Sequence, residues 1–352
     1  MIVLDGSIEV RYLTRLVLFH FLRISLLFLF QLMNGDLLAT SGDGLEIRIW
    51  NLTKKKCEHT ITTDRSGFLG MHYMAKSQRL VTGSFNGSLK VWDMNISKWR
   101  NMDSVSAREL KEAMKLKGVD YSDCIEKSEL VERAQSTGSL VPTRCRMSLE
   151  CHTGAVLGID SVDDLLASAG HGGSIRFWNA ETGKLRQELP SAHEGSTNVI
   201  KFFDGGSRLA SVGHDGVVAV HDVCHRKKIL ALGGHIGWVW GMYLDETAPN
   251  TIVSSSIDRT IRVWDVAAKK CIETINDHPA EVPSVHVDWD RHRMISTSFS
   301  GKSLVHDTRT WKPLMVFEGF QDKCTRLAYS PEAVYIGSTD GTVRGFNFAH
   351  GM

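Results

Sequence analysis

Short apolar runs alternate with turn-forming residues along almost the whole chain. A representative unit is "VSSSIDRTIRVWD", residues 253–265. An apolar strand runs into small residues, a turn with Asp or Gly follows, and a second strand alternates apolar and polar positions. That alternation is the mark of a strand with unlike faces. Seven stretches repeat the pattern: 37–51, 79–93, 165–179, 208–222, 251–265, 293–307 and 333–347. They end at Trp50, Trp92, Trp178, His221, Trp264, His306 and Phe346, with spacings of 42, 86, 43, 43, 42 and 40 residues.

A period of roughly 40–45 residues with four short strands and a terminal Trp-Asp is the pattern of a propeller blade. Seven copies predict an all-β, seven-bladed β-propeller. The chain resembles the WD-repeat family, that of the G-protein β subunit. The copy at 234–275 carries the family pattern in full: "GH" at 234–235, then "VSSSID", then "VWD". Elsewhere Trp becomes His221, His306 or Phe346, and the turn Asp becomes Asn86, Gly172 or Ser300. Those departures predict weaker internal hydrogen bonding in the blades that carry them.

One spacing is double the period. The stretch "TRCRMSLECH" (143–152) matches the outer strand and "GH" of a following blade, as in "KKCIETINDH" (269–278). The surplus therefore falls between the third and fourth strands of blade 2. The propeller is assigned to 7–96 and 143–352, and a helical insert to 97–142. Residues 104–135 read as helix, turn, helix. Ser106 and Glu109 have the spacing of a capping box, and Gly118 stands where the first helix ends. Leu110 and Met114 share a face, and Leu130 and Val131 belong to the second helix. The segment resembles a SAP-type module, in the variant of some RING-type ubiquitin ligases. Typical SAP modules bind DNA. Here six basic residues (Arg108, Lys111, Lys115, Lys117, Lys127, Arg133) face seven acidic ones, which offers no phosphate-neutralising stripe. Protein docking, or simple decoration of the blade, fits better. Cys124 reads as a small core residue of the hairpin.

At the N-terminal end, "LVLFHFLRISLLFLFQLM" (16–33) reads as the inner strand of blade 1 with an apolar lead-in. The competing readings are a membrane-crossing segment and a misassigned chain start; Arg23 near its middle opposes the first of these. The last copy stops after its third strand. In the family the missing outer strand comes from the N-terminal end, and "SIEVRY" (7–12) is the candidate.

The chain has 352 residues and a formal net charge of +1, so no overall field draws it to nucleic acid or anionic membrane. Its seven cysteines form no C-x-x-C pair, which disfavours a disulfide framework or zinc site and fits a reducing compartment. No cofactor, metal or small-molecule substrate is expected. The expected localisation is cytoplasmic or nuclear, with membrane anchoring through 16–33 the lesser alternative.

A Ser, a His and an Asp near one another, Ser254, His235 and Asp258, invite a hydrolase triad. No G-x-S-x-G accompanies them, and the same positions recur, decayed, in other blades. The resemblance implies instead a structural tetrad of His235, Ser254, Asp258 and Trp264. It also implies that partners are felt at the rim: before the turn Asp at Phe85, His171, His214, Ile257, Phe299 and Thr339, and on the inner strands at Phe68, Trp238, Trp240 and Arg326. His306, Asp307 and Arg309 resemble, with His in place of Trp, the W-D-x-R box by which some propellers dock on a ubiquitin-ligase adaptor. The function expected is a non-catalytic scaffold that binds a partner peptide. The alternatives are a ubiquitin-ligase substrate receptor and a nucleic-acid-associated adaptor.

Overall fold

The computed structural model describes residues 28–32, 37–41, 46–52, 54, 56–62, 67–94, 105–116, 118–136 and 145–348. They form seven antiparallel sheets, each a meander whose strands pair in chain order. The blades span 28–62, 68–150, 156–189, 197–232, 239–275, 284–317 and 324–347. Six have four strands and blade 7 has three among the described residues. Neighbouring inner strands pack side by side, and that of blade 7 meets that of blade 1, so the ring closes. The fold is the seven-bladed β-propeller the repeat predicts.

The core lies between blades, because each strand sends successive side chains to opposite faces. In blade 5, Ile252 and Trp264 pack toward blade 4 with Val218, Val220 and Leu232. Val253 and Val263 pack toward blade 6 with Val285 and Met294. Each such side chain contributes roughly 1.5–3 kcal/mol when fully buried. Between the second and third strands the chain turns through left-handed backbone. Gly87 takes it at φ +85°, and a Cβ there would lie 1.9 Å from the His152 carbonyl oxygen. In blade 5 a side chain is tolerated at the equivalent turn: Arg259 adopts φ 71°.

The end of the apolar N-terminal run, Phe28–Leu32, is the inner strand of blade 1 and pairs with Leu37–Ser41. Residues 16–27, and the proposed closing strand at 7–12, lie outside the described residues. Among the described residues no helix is long and apolar enough to cross a membrane.

Helices α1 (Ala107–Leu116) and α2 (Lys127–Ser136) lie in the chain between the third strand of blade 2, Ser88–Asp93, and its outer strand, Cys145–Glu150. The Glu109 carboxylate accepts from Ser106 N–H at 2.9 Å, and Ser106 Oγ accepts from Glu109 N–H at 3.3 Å, the reciprocal pattern of a capping box. Gly118 ends α1 at φ +66°. Leu110, Met114, Cys124, Leu130 and Val131 form a small core of their own.

Candidate functional site

Blade 5 carries one continuous hydrogen-bonded chain. Trp264 Nε1–H donates to Ser254 Oγ at 2.7 Å, and Ser254 Oγ lies 2.8 Å from His235 Nε2. His235 Nδ1 lies 2.8 Å from the Asp258 carboxylate, which also accepts from Thr260 N–H at 2.9 Å and Thr260 Oγ1 at 2.7 Å. The Asp258 carboxylate can only accept, so His235 Nδ1–H donates to it; in the neutral ring Nε2 then accepts from the Ser254 hydroxyl, which itself accepts from Trp264. Burial opposes ionisation of Asp258, but bonds from His235 and Thr260 hold its pKa below the usual carboxylate range. Ser254 has no exposed surface, so no substrate carbonyl reaches its oxygen.

The other blades keep parts of this chain. Trp50, Trp92 and Trp178 donate to Thr40, Thr82 and Ser168, each at 2.9 Å. Blade 4 corrects the expectation that losing Trp loosens a blade. There His221 Nε2 lies 2.7 Å from Ser211 Oγ, Ser211 lies 2.7 Å from His193 Nε2, and His193 Nδ1 lies 2.9 Å from Asp215. A histidine at the Trp position reaches the same hydroxyl and completes the chain. Blade 6 differs: His278 Nε2 reaches Ser296 Oγ at 2.7 Å, while His306 turns away to Asp277 at 3.0 Å.

The rim holds a run of touching rings across three blades. His214 of blade 4 stacks on Trp238 of blade 5, with centroids 4.1 Å apart and planes within 6°. Trp238 meets Trp240 at 6.3 Å, and Trp240 meets Phe299 of blade 6 at 5.3 Å. The Lys323 ammonium of blade 7 lies 4.9 Å from the Phe299 ring centre. Trp238 is 44% exposed, whereas Val239, between the two tryptophans, is fully buried. Ile257 joins the run through its backbone N–H, which donates to the Trp238 carbonyl at 3.0 Å. Exposed Phe85 and His171, and half-buried Thr339, stand at the equivalent turns of blades 2, 3 and 7. His171 Nδ1 lies 3.1 Å from Ser196 Oγ. Burial, then the charge of nearby His171, holds the His214 pKa below its ordinary value.

Two expected rim residues lie elsewhere. Phe68 is 3% exposed and packs in the core with Leu69, Met71 and Trp92. Its cross-strand partner is Ser84, as Ser256 is for Val239, so Phe68 is in phase with buried Val239 and not with the tryptophans. A one-residue offset moves a strand side chain to the other face. Arg326 pairs in register with Gly337 as Gly241 does with Ser255, and it lines the central channel. That channel encloses about 170 Å³ and is otherwise walled mainly by apolar side chains and glycines. Burial lowers the Arg326 pKa to about 10, and its guanidinium approaches the carbonyls of Pro283 at 3.4 Å and Trp240 at 3.5 Å. Lys323 was not among the expected rim residues, although it precedes Cys324 as Trp238 precedes Val239; the blade alignment carried the signal.

In the sequence resembling a W-D-x-R box, His306 is buried. Exposed Arg309 forks onto Asp307, Nε to Oδ1 at 3.0 Å and a terminal nitrogen to Oδ2 at 2.6 Å. Among the described residues no group of three or more His, Cys, Asp or Glu side chains is placed to hold a metal ion. Burial pushes the thiols of Cys151 and Cys324 up to about 12, far from reactive.

The family profile described as WD domain, G-beta repeat, matches residues 55–93, 143–179, 226–265 and 311–347. Over those residues the chain carries WD repeats, set on the seven-bladed β-propeller described above, a fold that implies a protein-interaction scaffold. A second profile, described as an E3 ubiquitin-protein ligase rififylin-like domain, matches residues 95–137, the helical insert. WD repeat-containing protein 1 of Gallus gallus is 24% identical over 325 residues, 88% of this chain and 52% of its own length. Eukaryotic translation initiation factor 3 subunit I of Aspergillus oryzae is 29% identical over 179 residues, 46% of this chain and 52% of its own. Nuclear distribution protein nudF of Aspergillus niger is 24% identical over 268 residues, 72% of this chain and 59% of its own. The chain thus spans about half the length of the relatives it matches first.

Proposed function

We propose that this chain is a non-catalytic scaffold that takes a partner peptide on the rim formed by His214, Trp238, Trp240, Ile257 and Phe299, in a cytoplasmic or nuclear setting. The observation that carries it is the uninterrupted run of aromatic contacts over blades 4 to 6. Rigid aromatic side chains supply large contact area at small entropy loss, which is why they dominate binding hot spots. Affinity purification with wild type and Trp240→Ala tests the reading. The partners recovered with wild type are expected to be lost with the variant; unchanged recovery refutes it.

A second reading draws on the insert's match to a rififylin-like domain and on exposed Arg309, forked onto buried Asp307. The propeller then presents substrates to a ubiquitin ligase, with the SAP-like insert as a protein-docking hairpin. Recovery of cullin components with wild type, and their loss with Arg309→Ala, supports it; their absence from wild type removes it. The near balance of basic and acidic residues in the insert leaves DNA association without an electrostatic basis.

A further inference from the structure

We propose that the outer edges of blades 4, 5 and 6 form a second docking surface, which takes an acidic, apolar-bearing peptide of a partner protein on Ile229, Ile272 and Leu314 and the lysines beside them. The observation is a bulge repeated around the ring. In each four-stranded blade the outer strand carries one extra residue next to the partner of the Trp position. In blade 5, Val263 pairs with Glu273 and Trp264 with Cys271, leaving Ile272 unpaired. In blades 4 and 6 the extra residues are Ile229 and Leu314. In blades 1, 2 and 3 they are Glu58, Arg146 and Arg186.

The same geometric position is thus charged on one half of the ring and aliphatic on three consecutive blades of the other. Ile229, Ile272 and Leu314 are 43%, 49% and 59% exposed. The bulge aims each away from the sheet, so none fills the core. On blade 3, exposed Leu185 stands beside Arg186, which pairs with Asp164.

Charge gives the occupant its sign. Exposed lysines precede each aliphatic: Lys227 and Lys228, Lys269 and Lys270, then Lys312. The nearby carboxylates are engaged locally. Asp222, Asp265 and Asp307 each accept a backbone N–H of their own turn at 2.8 Å, from His225, Ala268 and Arg309. Asp222 and Asp307 also hold the side chains of His225 and Arg309. Glu273 accepts from Thr274 N–H at 3.1 Å. The outward face is therefore apolar points set among ammonium groups, complementary to carboxylates that flank apolar side chains. Added strand pairing is disfavoured, because a bulge and edge lysines interrupt the ladder. Three single side chains on separate blades bury too little to hold a bilayer.

Phage-displayed random peptides selected on the full wild-type chain test the proposal. The expected result is a class of acidic peptides bearing Leu, Ile, Val or Phe. Its binding should weaken by about tenfold or more, roughly 1.4 kcal/mol, in Ile229→Ser/Ile272→Ser/Leu314→Ser and again in Lys227→Glu/Lys270→Glu/Lys312→Glu. Trp240→Ala should leave that class unchanged, which separates it from any peptide held at the aromatic rim. Thermal melting checks that both triple variants fold. The proposal is overturned if no acidic class emerges, if the class ignores both triple variants, or if the same residues bind phosphatidylserine vesicles and no peptide.

Discussion

His214 and Trp238 come from neighbouring blades and lie face to face, their ring centres 4.1 Å apart. The contact joins the turn of blade 4 to the residue just before the inner strand of blade 5, and Trp238 keeps 44% of its surface in solvent. Such a side chain contributes little to folding. Trp238→Ala should change stability by no more than about 1 kcal/mol, whereas Trp264→Ala, at a position 1% exposed, should cost about 3–5 kcal/mol. Urea unfolding of the two variants checks the contrast. Comparable losses would mean that Trp238 is structural.

Ser254 is the shared node of the blade 5 chain. Ser254→Ala leaves Trp264 Nε1–H and His235 Nε2 without their partner, both buried. The expected loss is about 1–3 kcal/mol, with no effect on peptide binding at the rim. Denaturant midpoints and a peptide-binding assay on one preparation distinguish that outcome from a loss of binding alone, which would place Ser254 in the functional site.

Stability should fall with acid. Burial, reinforced by nearby cations or a second histidine, holds His152 and His278 at a pKa of about 4 and His221 at about 3. Burial likewise holds His286 at about 4, between the rings of Tyr243 and Tyr329. The unfolded chain titrates these groups near about 6.5. Between about pH 6.5 and 4 the unfolded state binds protons that the folded state refuses. The stability is fully present above that window and is lost as pH falls through it. Together the four should remove several kcal/mol between about pH 7 and 5. Urea midpoints at the two values measure the loss, and His286→Phe should reduce it by about a quarter, the share of one histidine in four. A midpoint independent of pH would contradict the burial of these rings.

The insert has its own core, so its stability should be separable from the ring. Leu110→Ala opens a cavity at a fully buried position and should cost about 2–5 kcal/mol locally. Amide exchange in 105–136 should accelerate while the blade strands keep their protection. Parallel loss of protection in blades 2 and 3 would show that hairpin and propeller fold as one unit.

The seven-fold repeat and the Ser106–Glu109 cap were legible in the chain. Each is set by local spacing: strand length, turn chemistry, and polar residues returning at a fixed interval. The same spacing drew Trp238 and Trp240 together on one side of buried Val239. What escaped it was phase and reach. Phe68 looked like a rim aromatic until its pairing with Ser84 put it in step with Val239. His221 looked like a broken tetrad until its ring was found within 2.7 Å of Ser211. The bulges at Ile229, Ile272 and Leu314 are likewise invisible in a strand that simply alternates, because a bulge exists only relative to a partner. Sequence alone determined which residues recur and how far apart. The tertiary structure decided which face each one takes, since one residue of register turns a core side chain into a surface one.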